Sequence, residues 1–168
     1  MSDLPQSLRG EPPVSALPMP IEARFEPLTV DDLDAVIAVE QSVYGHPWTL
    51  GNFKDALASG YVARRLMAGP SLIGYFVAMQ VIDEVHLLNI TVALPYRSQG
   101  WAKLMLDALA LWARTQRCTW LWLEVRESNH RAIHVYRSHG FKQVGLRKDY
   151  YPLGRGLREA ALVMSHKL

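Results

Sequence analysis

A single carboxylate follows a run of large apolar residues in the second half of the chain. Glu124 comes directly after Trp-Leu-Trp-Leu, and strand alternation places it on the same face as Trp120 and Trp122. Because taking a carboxylate out of water is costly unless it is paired or used, Glu124 is a general base, half of an ion pair, or a residue at the solvent-exposed end of the strand. The candidate ion-pair partners are the nearby arginines Arg126, Arg131 and Arg137.

A phenol lies on the helix predicted after this strand. Asn129, Ile133 and Tyr136 follow helical spacing, so one face of that helix would present all three. If this face covers the end of the strand, Asn129 can hydrogen-bond a ligand and Tyr136 can offer its hydroxyl to it. The alternative is that Tyr136 is a core residue with its hydroxyl at the rim.

Three histidines on the same helix raise the question of a metal site. His130 and His134 are one helical turn apart, but no glutamate or third ligand accompanies them at metalloprotease spacing. We therefore predict no metal site and expect His130, His134 and His139 to be solvated.

A short turn with small and basic residues precedes the third predicted helix. In segment 96–103, Gly100 lets the backbone approach a ligand, and the free N–H groups that begin a helix suit a pyrophosphate. Arg97 and Lys103 add positive charge for phosphate oxygens. The alternative is an ordinary tight turn with a surface arginine. The segment lacks both Gly-Lys-Ser/Thr and GxGxxG, which argues against nucleotide hydrolysis and nicotinamide chemistry.

The elements that must position these residues alternate between strand and helix periodicity. Strand–helix–strand units in the second half and a hairpin in the first predict an α/β domain. Its central sheet is mixed and partly parallel, with about seven strands flanked by about four helices. The predicted strands are 23–28, 61–67, 71–81, 85–92, 120–125, 141–148 and 157–165, and the predicted helices are 29–41, 49–60, 100–115 and 129–139.

Length and composition narrow the class of protein. A chain of 168 residues fits one domain, predicted at 21–168 after a flexible, proline-rich leader at 1–20. The net charge of +2 argues against a dedicated nucleic-acid binder. The single cysteine, Cys118, excludes an intrachain disulfide, and no apolar run has the length of a signal peptide or membrane helix. We expect a soluble cytoplasmic protein without direct contact to nucleic acid or membrane.

The segment from Arg97 to Ala102 resembles the acetyl-CoA motif of the GNAT superfamily of N-acetyltransferases, Gln/Arg-x-x-Gly-x-Gly/Ala. Trp101 and Ala102 depart from its commonest form. Other segments look like the RimI subfamily, which acetylates the N-terminal alanine of the eighteenth protein of the small ribosomal subunit. The resemblance covers about residues 22–165 and includes 46–49, 83–84, 88–92, 121–126, 128–129, 132–133, Tyr136, 140–141 and 147–152.

The resemblance implies the GNAT fold and direct transfer from acetyl-CoA in a ternary complex. It assigns the catalytic glutamate to Glu124 and the proton-donating tyrosine to Tyr136. The implied acceptor is the N-terminus of the ribosomal protein, and the alternatives are protein lysines, a small amine, or a non-catalytic acetyl-CoA-binding module. The implied acetyl-CoA contacts are Ile90, Thr91, Val92, Arg97, Ser98, Gln99, Gly100, Trp101, Ala102, Lys103 and Asn129.

The resemblance assigns no role to three aromatic residues within these segments. Tyr150 and Tyr151 precede a proline between the last two predicted strands, and Trp48 follows a proline before the second predicted helix. We expect them either to shape the groove for a peptide or to pack the edge of the sheet.

Overall fold

The computed structural model describes residues 22–168. The predicted leader at 1–20 lies outside the described residues. The strands are β1 (Ala23–Pro27), β2 (Val62–Ala68), β3 (Ser71–Val81), β4 (Glu84–Val92), β5 (Trp120–Arg126), β6 (Lys142–Gly154) and β7 (Leu157–Lys167). The helices are α1 (Leu33–Val43), α2 (Leu50–Ala58), α3 (Trp101–Thr115) and α4 (His130–Ser138), with short 3-10 turns at Val30–Asp32 and Leu94–Tyr96.

Within these residues the strands form one seven-stranded sheet in the order β1-β2-β3-β4-β5-β7-β6. β4 and β5 are parallel, and every other neighbouring pair is antiparallel. A parallel pair needs a long crossover connection, and α3 supplies it between β4 and β5. The prediction of a mixed, partly parallel α/β sheet with flanking helices is confirmed.

The two central strands separate part-way along their length. β4 pairs with β5 from Glu84 to Leu87, although β4 continues to Val92. Against β3, Val77 is opposite Asn89 and Ala78 is opposite Leu87, so Leu88 forms a bulge. A bulge bends its strand and increases the local twist. The end of β4 therefore leaves β5 and opens a cleft at the carboxyl ends of both strands.

Apolar clusters cover both faces of the sheet. One face packs against α3 and α4, with Met105 and Leu109 fully buried, and the other packs against α1 and α2, with Val36 and Phe53 fully buried. Burying one such side chain stabilises the fold by about 1.5–3 kcal/mol. These contacts hold the start of α3 and the inner face of α4 over the cleft.

Two element boundaries differ from the prediction by more than two residues. The helix predicted from Thr29 begins as a 3-10 turn, with Thr29 and Asp32 forming a capping box, and becomes α-helical only at Leu33. β6 extends to Gly154, whereas the sequence predicts an end near Lys148. Because β6 is an edge strand with mostly exposed residues, its sequence lacks the alternation that would mark its end. Among the described residues, no helix is both long and apolar enough to cross a bilayer.

Candidate active site

A cavity of about 240 Å³ lies between the start of α3 and the inner face of α4. Nine of the residues that the sequence predicts as coenzyme contacts line it. They are Ile90, Val92, Arg97, Ser98, Gly100, Trp101, Ala102, Lys103 and Asn129.

The other two predicted contacts do not line this cavity. Thr91 is buried, because strand alternation turns its side chain away from the face that Ile90 and Val92 share. Gln99 is exposed, where it donates to the Pro95 carbonyl and accepts from the indole Nε1 of Trp101.

At one end of this cavity, the backbone of the turn leaves N–H groups that have no protein acceptor within residues 22–168. Gly100 immediately precedes α3 with φ +86°, and a Cβ on it would point into open space. This left-handed conformation disfavours any residue with a Cβ. Leu104 is the first residue of the helix whose N–H reaches a carbonyl, that of Gly100. The N–H groups of residues 101–103 are therefore left for a ligand, at the positive end of the helix dipole.

Three cationic side chains surround these N–H groups. Arg97 and Lys103 line the cavity, as the sequence predicts, and Arg131 of α4 lines it from the opposite side. One terminal nitrogen of Arg131 donates to Ser98 Oγ at 2.7 Å. The sequence did not indicate Arg131 as a residue that lines this cavity, because nothing in its local spacing shows that the first turn of α4 faces the turn before α3.

A second cavity of about 280 Å³ occupies the cleft between β4 and β5. Both Glu124 and Tyr136 line it. Four residues line this cavity and the first one together: Tyr44, Ile90, Asn129 and Tyr136. The two cavities therefore meet at these four residues.

Glu124 forms an ion pair with an arginine that is none of the three expected from the sequence. Its side chain is 24% exposed, and Oε1 lies 2.9 Å from Nε of Arg147 on β6. The expected pairing with a nearby arginine is wrong. Arg126 pairs with Glu159, Arg131 bonds Ser98, and Arg137 is exposed. β7 pairs with both β5 and β6, and this sheet order brings Arg147 to Glu124 although the two are far apart in sequence.

Tyr136 lies on the buried face of α4 with Ile133, as the helical spacing predicts. Its ring packs edge-on against Phe141, with centroids 5.8 Å apart. Burial, helped by the neighbouring Tyr44 and Tyr151, raises the pKa of Tyr136, so the phenol keeps its proton at neutral pH. Asn129 caps this helix, because its Oδ1 accepts from the Ala132 N–H at 3.2 Å. The side-chain NH₂ of Asn129 then remains for a ligand.

A third cavity of about 650 Å³ extends the cleft along β5 and β6. Trp48 and Tyr151 line it together with the second cavity, and Tyr150 lines it as well. Burial, followed by the charge of Glu124, raises the pKa of Tyr151 to about 12. Interaction with Glu124, followed by burial, raises the pKa of Tyr150. The three aromatic residues thus border an open groove beside Glu124, and the phenols of Tyr150 and Tyr151 can donate hydrogen bonds.

Comparison with known proteins decides the family. The sequence model of the acetyltransferase (GNAT) family matches residues 33–141. This chain belongs to that family. The acetyltransferase is 36% identical over 134 residues to a [ribosomal protein bS18]-alanine N-acetyltransferase of Haemophilus influenzae, across 80% of this chain and 91% of that relative.

Two Escherichia coli comparisons agree. The acetyltransferase is 33% identical over 138 residues to the [ribosomal protein bS18]-alanine N-acetyltransferase of strain K12, across 82% of this chain and 93% of that relative. The crystal structure of the ribosomal-protein-S18-alanine N-acetyltransferase from this species matches with a TM-score of 0.81 and 31% identity. That match covers 87% of this chain and 94% of the other. The predicted GNAT fold and RimI resemblance are confirmed.

The histidines of the acetyltransferase have two environments. His130 and His134 are exposed, as expected. The expectation of a solvated His139 is wrong, because its side chain is 7% exposed and its Nε2 lies 2.7 Å from Asp107 Oδ1 on α3. Within residues 22–168, no three His, Cys, Asp or Glu side chains group so that they could hold a metal ion.

Proposed function

We propose that this acetyltransferase transfers the acetyl group of acetyl-CoA directly to the α-amino group of the N-terminal alanine of ribosomal protein bS18. The observation that carries the proposal is the cleft between β4 and β5. Glu124 and Tyr136 line one cavity there, and Tyr136 also lines the cavity at the start of α3. A proton acceptor and a proton donor therefore lie where a coenzyme and an acceptor would meet.

The identity of the acceptor is supported by the relatives. Proteins named [ribosomal protein bS18]-alanine N-acetyltransferase share 33–36% identity with this chain over most of its length. Because ribosomal proteins are synthesised in the cytoplasm, we propose that the reaction takes place there.

The first cavity fits acetyl-CoA. The open space over Gly100 leaves room for a diphosphate against the N–H groups of residues 101–103. Arg97, Lys103 and Arg131 supply the positive charge that phosphate oxygens require. Acetyl-CoA, when bound, supplies an acetyl thioester. Ile90 and Val92, at the part of β4 that no longer pairs with β5, line the path from this end of the cavity to Tyr136.

The chain supplies the two proton transfers that the reaction needs. Glu124 accepts the proton that the acceptor nitrogen loses as its bond to the acetyl carbon forms. Tyr136 donates a proton to the sulfur as the carbon–sulfur bond breaks. Arg147 holds the Glu124 carboxylate in one orientation through their 2.9 Å ion pair. No acetyl-enzyme is required, because the acceptor nitrogen attacks the thioester directly.

An α-amine suits a base of this kind better than a lysine does. The ordinary pKa of an α-amino group is about 7.7–8.0, whereas that of lysine is about 10.4. Forming the neutral α-amine at neutral pH is therefore easier by roughly 3 kcal/mol. This smaller free-energy cost favours an α-amine over a lysine as the group that Glu124 deprotonates.

The test is transfer from acetyl-CoA to a peptide that copies the N-terminus of bS18, followed by mass spectrometry and thiol release. Three controls define the acceptor: the same peptide blocked at its N-terminus, a blocked peptide with an internal lysine, and spermidine. We expect transfer to the free N-terminal alanine alone. Transfer to the lysine or to spermidine in preference to alanine would contradict the proposed acceptor, and absence of thiol release with every amine would contradict an enzymatic role.

A further inference from the structure

A buried carboxylate outside the proposed proton transfers lies behind the second cavity. Glu40 of α1 is 1% exposed. Its Oε1 accepts from the Trp48 N–H at 2.9 Å, and its Oε2 accepts from the Tyr75 hydroxyl. The amide nitrogen of Asn89 lies 3.2 Å from both oxygens. Within the described residues none of these partners is a cation, so neutral donors alone satisfy the charge.

The carboxylate sets the direction of a chain of hydrogen bonds. Every contact of the carboxylate is a donor, and Asn89 turns its NH₂ toward Glu40 and its Oδ1 away. That Oδ1 accepts from the Thr91 hydroxyl at 2.9 Å. The proton of Thr91 is then committed, and its Oγ1 can only accept from the Tyr44 hydroxyl, which is 2.9 Å away.

This series of hydrogen bonds ends at Tyr44, and the direction of its last bond is fixed. The other neighbour of the Tyr44 hydroxyl is the Ile90 carbonyl at 3.1 Å, which also can only accept. The single proton of Tyr44 is therefore held inside the protein by one or both acceptors. Burial, with the charge of Glu40, raises the pKa of Tyr44, so the phenol stays neutral. Its remaining lone pair is available only as a hydrogen-bond acceptor.

The position of Tyr44 indicates which group would donate a hydrogen bond to its oxygen. Tyr44 lines both the first cavity, where acetyl-CoA would bind, and the second cavity, where the acceptor amine would enter, as Tyr136 does. The acceptor nitrogen must reach this junction to react, and a primary amine or ammonium carries N–H donors. Within the described residues the Tyr136 hydroxyl makes no hydrogen bond, and it lines both cavities, so its proton is available for donation. At the junction of the two cavities, the Tyr44 phenol can therefore accept a hydrogen bond and the Tyr136 phenol can donate one.

We propose that Tyr44 accepts a hydrogen bond from the primary amino group of the acceptor substrate, and that Glu40, acting through Asn89 and Thr91, is a positioning residue that orients it. The inference rests on the proposed function, because it assumes that an amine acceptor enters the second cavity. It assigns Tyr44 to acceptor binding and leaves the proton transfers to Glu124 and Tyr136.

Tyr44→Phe removes the oxygen and keeps the ring. We expect the KM of the peptide to rise roughly tenfold, because a hydrogen bond from a charged donor is lost. The KM of acetyl-CoA and kcat should change by less than about threefold. Tyr61→Phe is the matched control, since Tyr61 is half-buried and lines none of the cavities described above. An unchanged peptide KM, or an equal rise in the KM of acetyl-CoA, would overturn the assignment.

A double-mutant cycle tests the role of Glu40. In Glu40→Gln, an amide NH₂ can face Asn89, which then turns over and lets Thr91 donate to Tyr44, consuming the lone pair. We expect a smaller rise in peptide KM than in Tyr44→Phe, and almost no further rise when Glu40→Gln is added to Tyr44→Phe. Equal effects of Glu40→Gln in both backgrounds would overturn the positioning role.

Two further measurements separate the possible failures. Thr91→Val breaks the same chain at a different residue, and it replaces Glu40→Gln in the cycle if the latter fails to fold by circular dichroism. If the wild type does not acetylate the bS18 peptide, the proposed function fails. The Tyr44 test then uses whichever primary amine the wild type acetylates.

Discussion

The coenzyme side of the cleft is lined mainly by one short segment and one helix, whereas the acceptor side takes its lining from six parts of the chain. Residues 96–103 and the inner face of α4 make most of the first cavity. The second is lined by α1, the loop before α2, β4, β5, α4 and β6. The first side presents chiefly backbone N–H groups, and the second presents side-chain oxygens.

This difference predicts how each side responds to substitution. A site made of backbone N–H groups depends on local conformation. It should lose affinity when a residue can no longer adopt its φ angle, and it should tolerate many side-chain changes. A side-chain site depends on which functional group each distant element contributes. Changes on the first side should therefore act on the KM of acetyl-CoA, and changes on the second on kcat or on the KM of the peptide.

The largest effect is expected from Glu124→Gln. Loss of a general base costs on the order of 10²–10⁴ in rate. The deficit should be greatest near pH 6 and shrink toward pH 8.5, because more of the α-amine is then already neutral. kcat/KM profiles across this range measure it, with Glu22→Gln as an exposed control. A deficit that is constant with pH would remove Glu124 from proton transfer.

Tyr136→Phe comes next and acts on the same side. We expect kcat to fall on the order of a hundredfold, because the departing sulfur loses its proton donor, while the KM of acetyl-CoA stays within about twofold. Initial rates at saturating coenzyme measure the first, and titration of acetyl-CoA the second. Since Tyr136 packs against Phe141, thermal denaturation of the variant checks that the fold is retained. Normal turnover would contradict the assignment.

Gly100→Ala tests the backbone character of the coenzyme side. A Cβ at φ +86° costs roughly 1–2 kcal/mol, and it would also enter the space proposed for the diphosphate. The KM of acetyl-CoA should rise about tenfold. Gly69→Ala is the matched control, because Gly69 also has positive φ and open space but lies in the turn between β2 and β3. Both variants should lose similar stability, and equal coenzyme KM values in the two would contradict the site.

The smallest effect is expected from Arg131→Ala. Arg131 adds one side-chain charge to a site that the backbone already forms, so the KM of acetyl-CoA should rise only about threefold to tenfold. The rise should diminish at high salt, because ions screen the charge. Arg137→Ala on the same helix is exposed and lines none of the cavities described here. Equal coenzyme KM values in these two variants would remove Arg131 from the site.

The same contrast explains how far sequence reasoning reached. Three features were predicted from residues that are close together in sequence. They are the alternation of β5, the face shared by Ile133 and Tyr136, and the turn at Gly100. The two faces of a strand and the ridge of a helix are local properties, so their periodicity is visible in the sequence. Most element boundaries were predicted for the same reason, and the unpaired outer side of β6 gave too weak a pattern to locate its end.

What the sequence alone determined is therefore the sheet class, the glycine turn before α3, and a carboxylate and a phenol that line the same cavity. Only the tertiary structure decided that Arg147 contacts Glu124, that Thr91 turns away from the coenzyme cavity toward Tyr44, and that His139 is buried against Asp107. Each of these contacts joins elements that are distant in sequence. Their partners depend on strand register and helix packing, which arise from the summed burial of many side chains rather than from any local pattern.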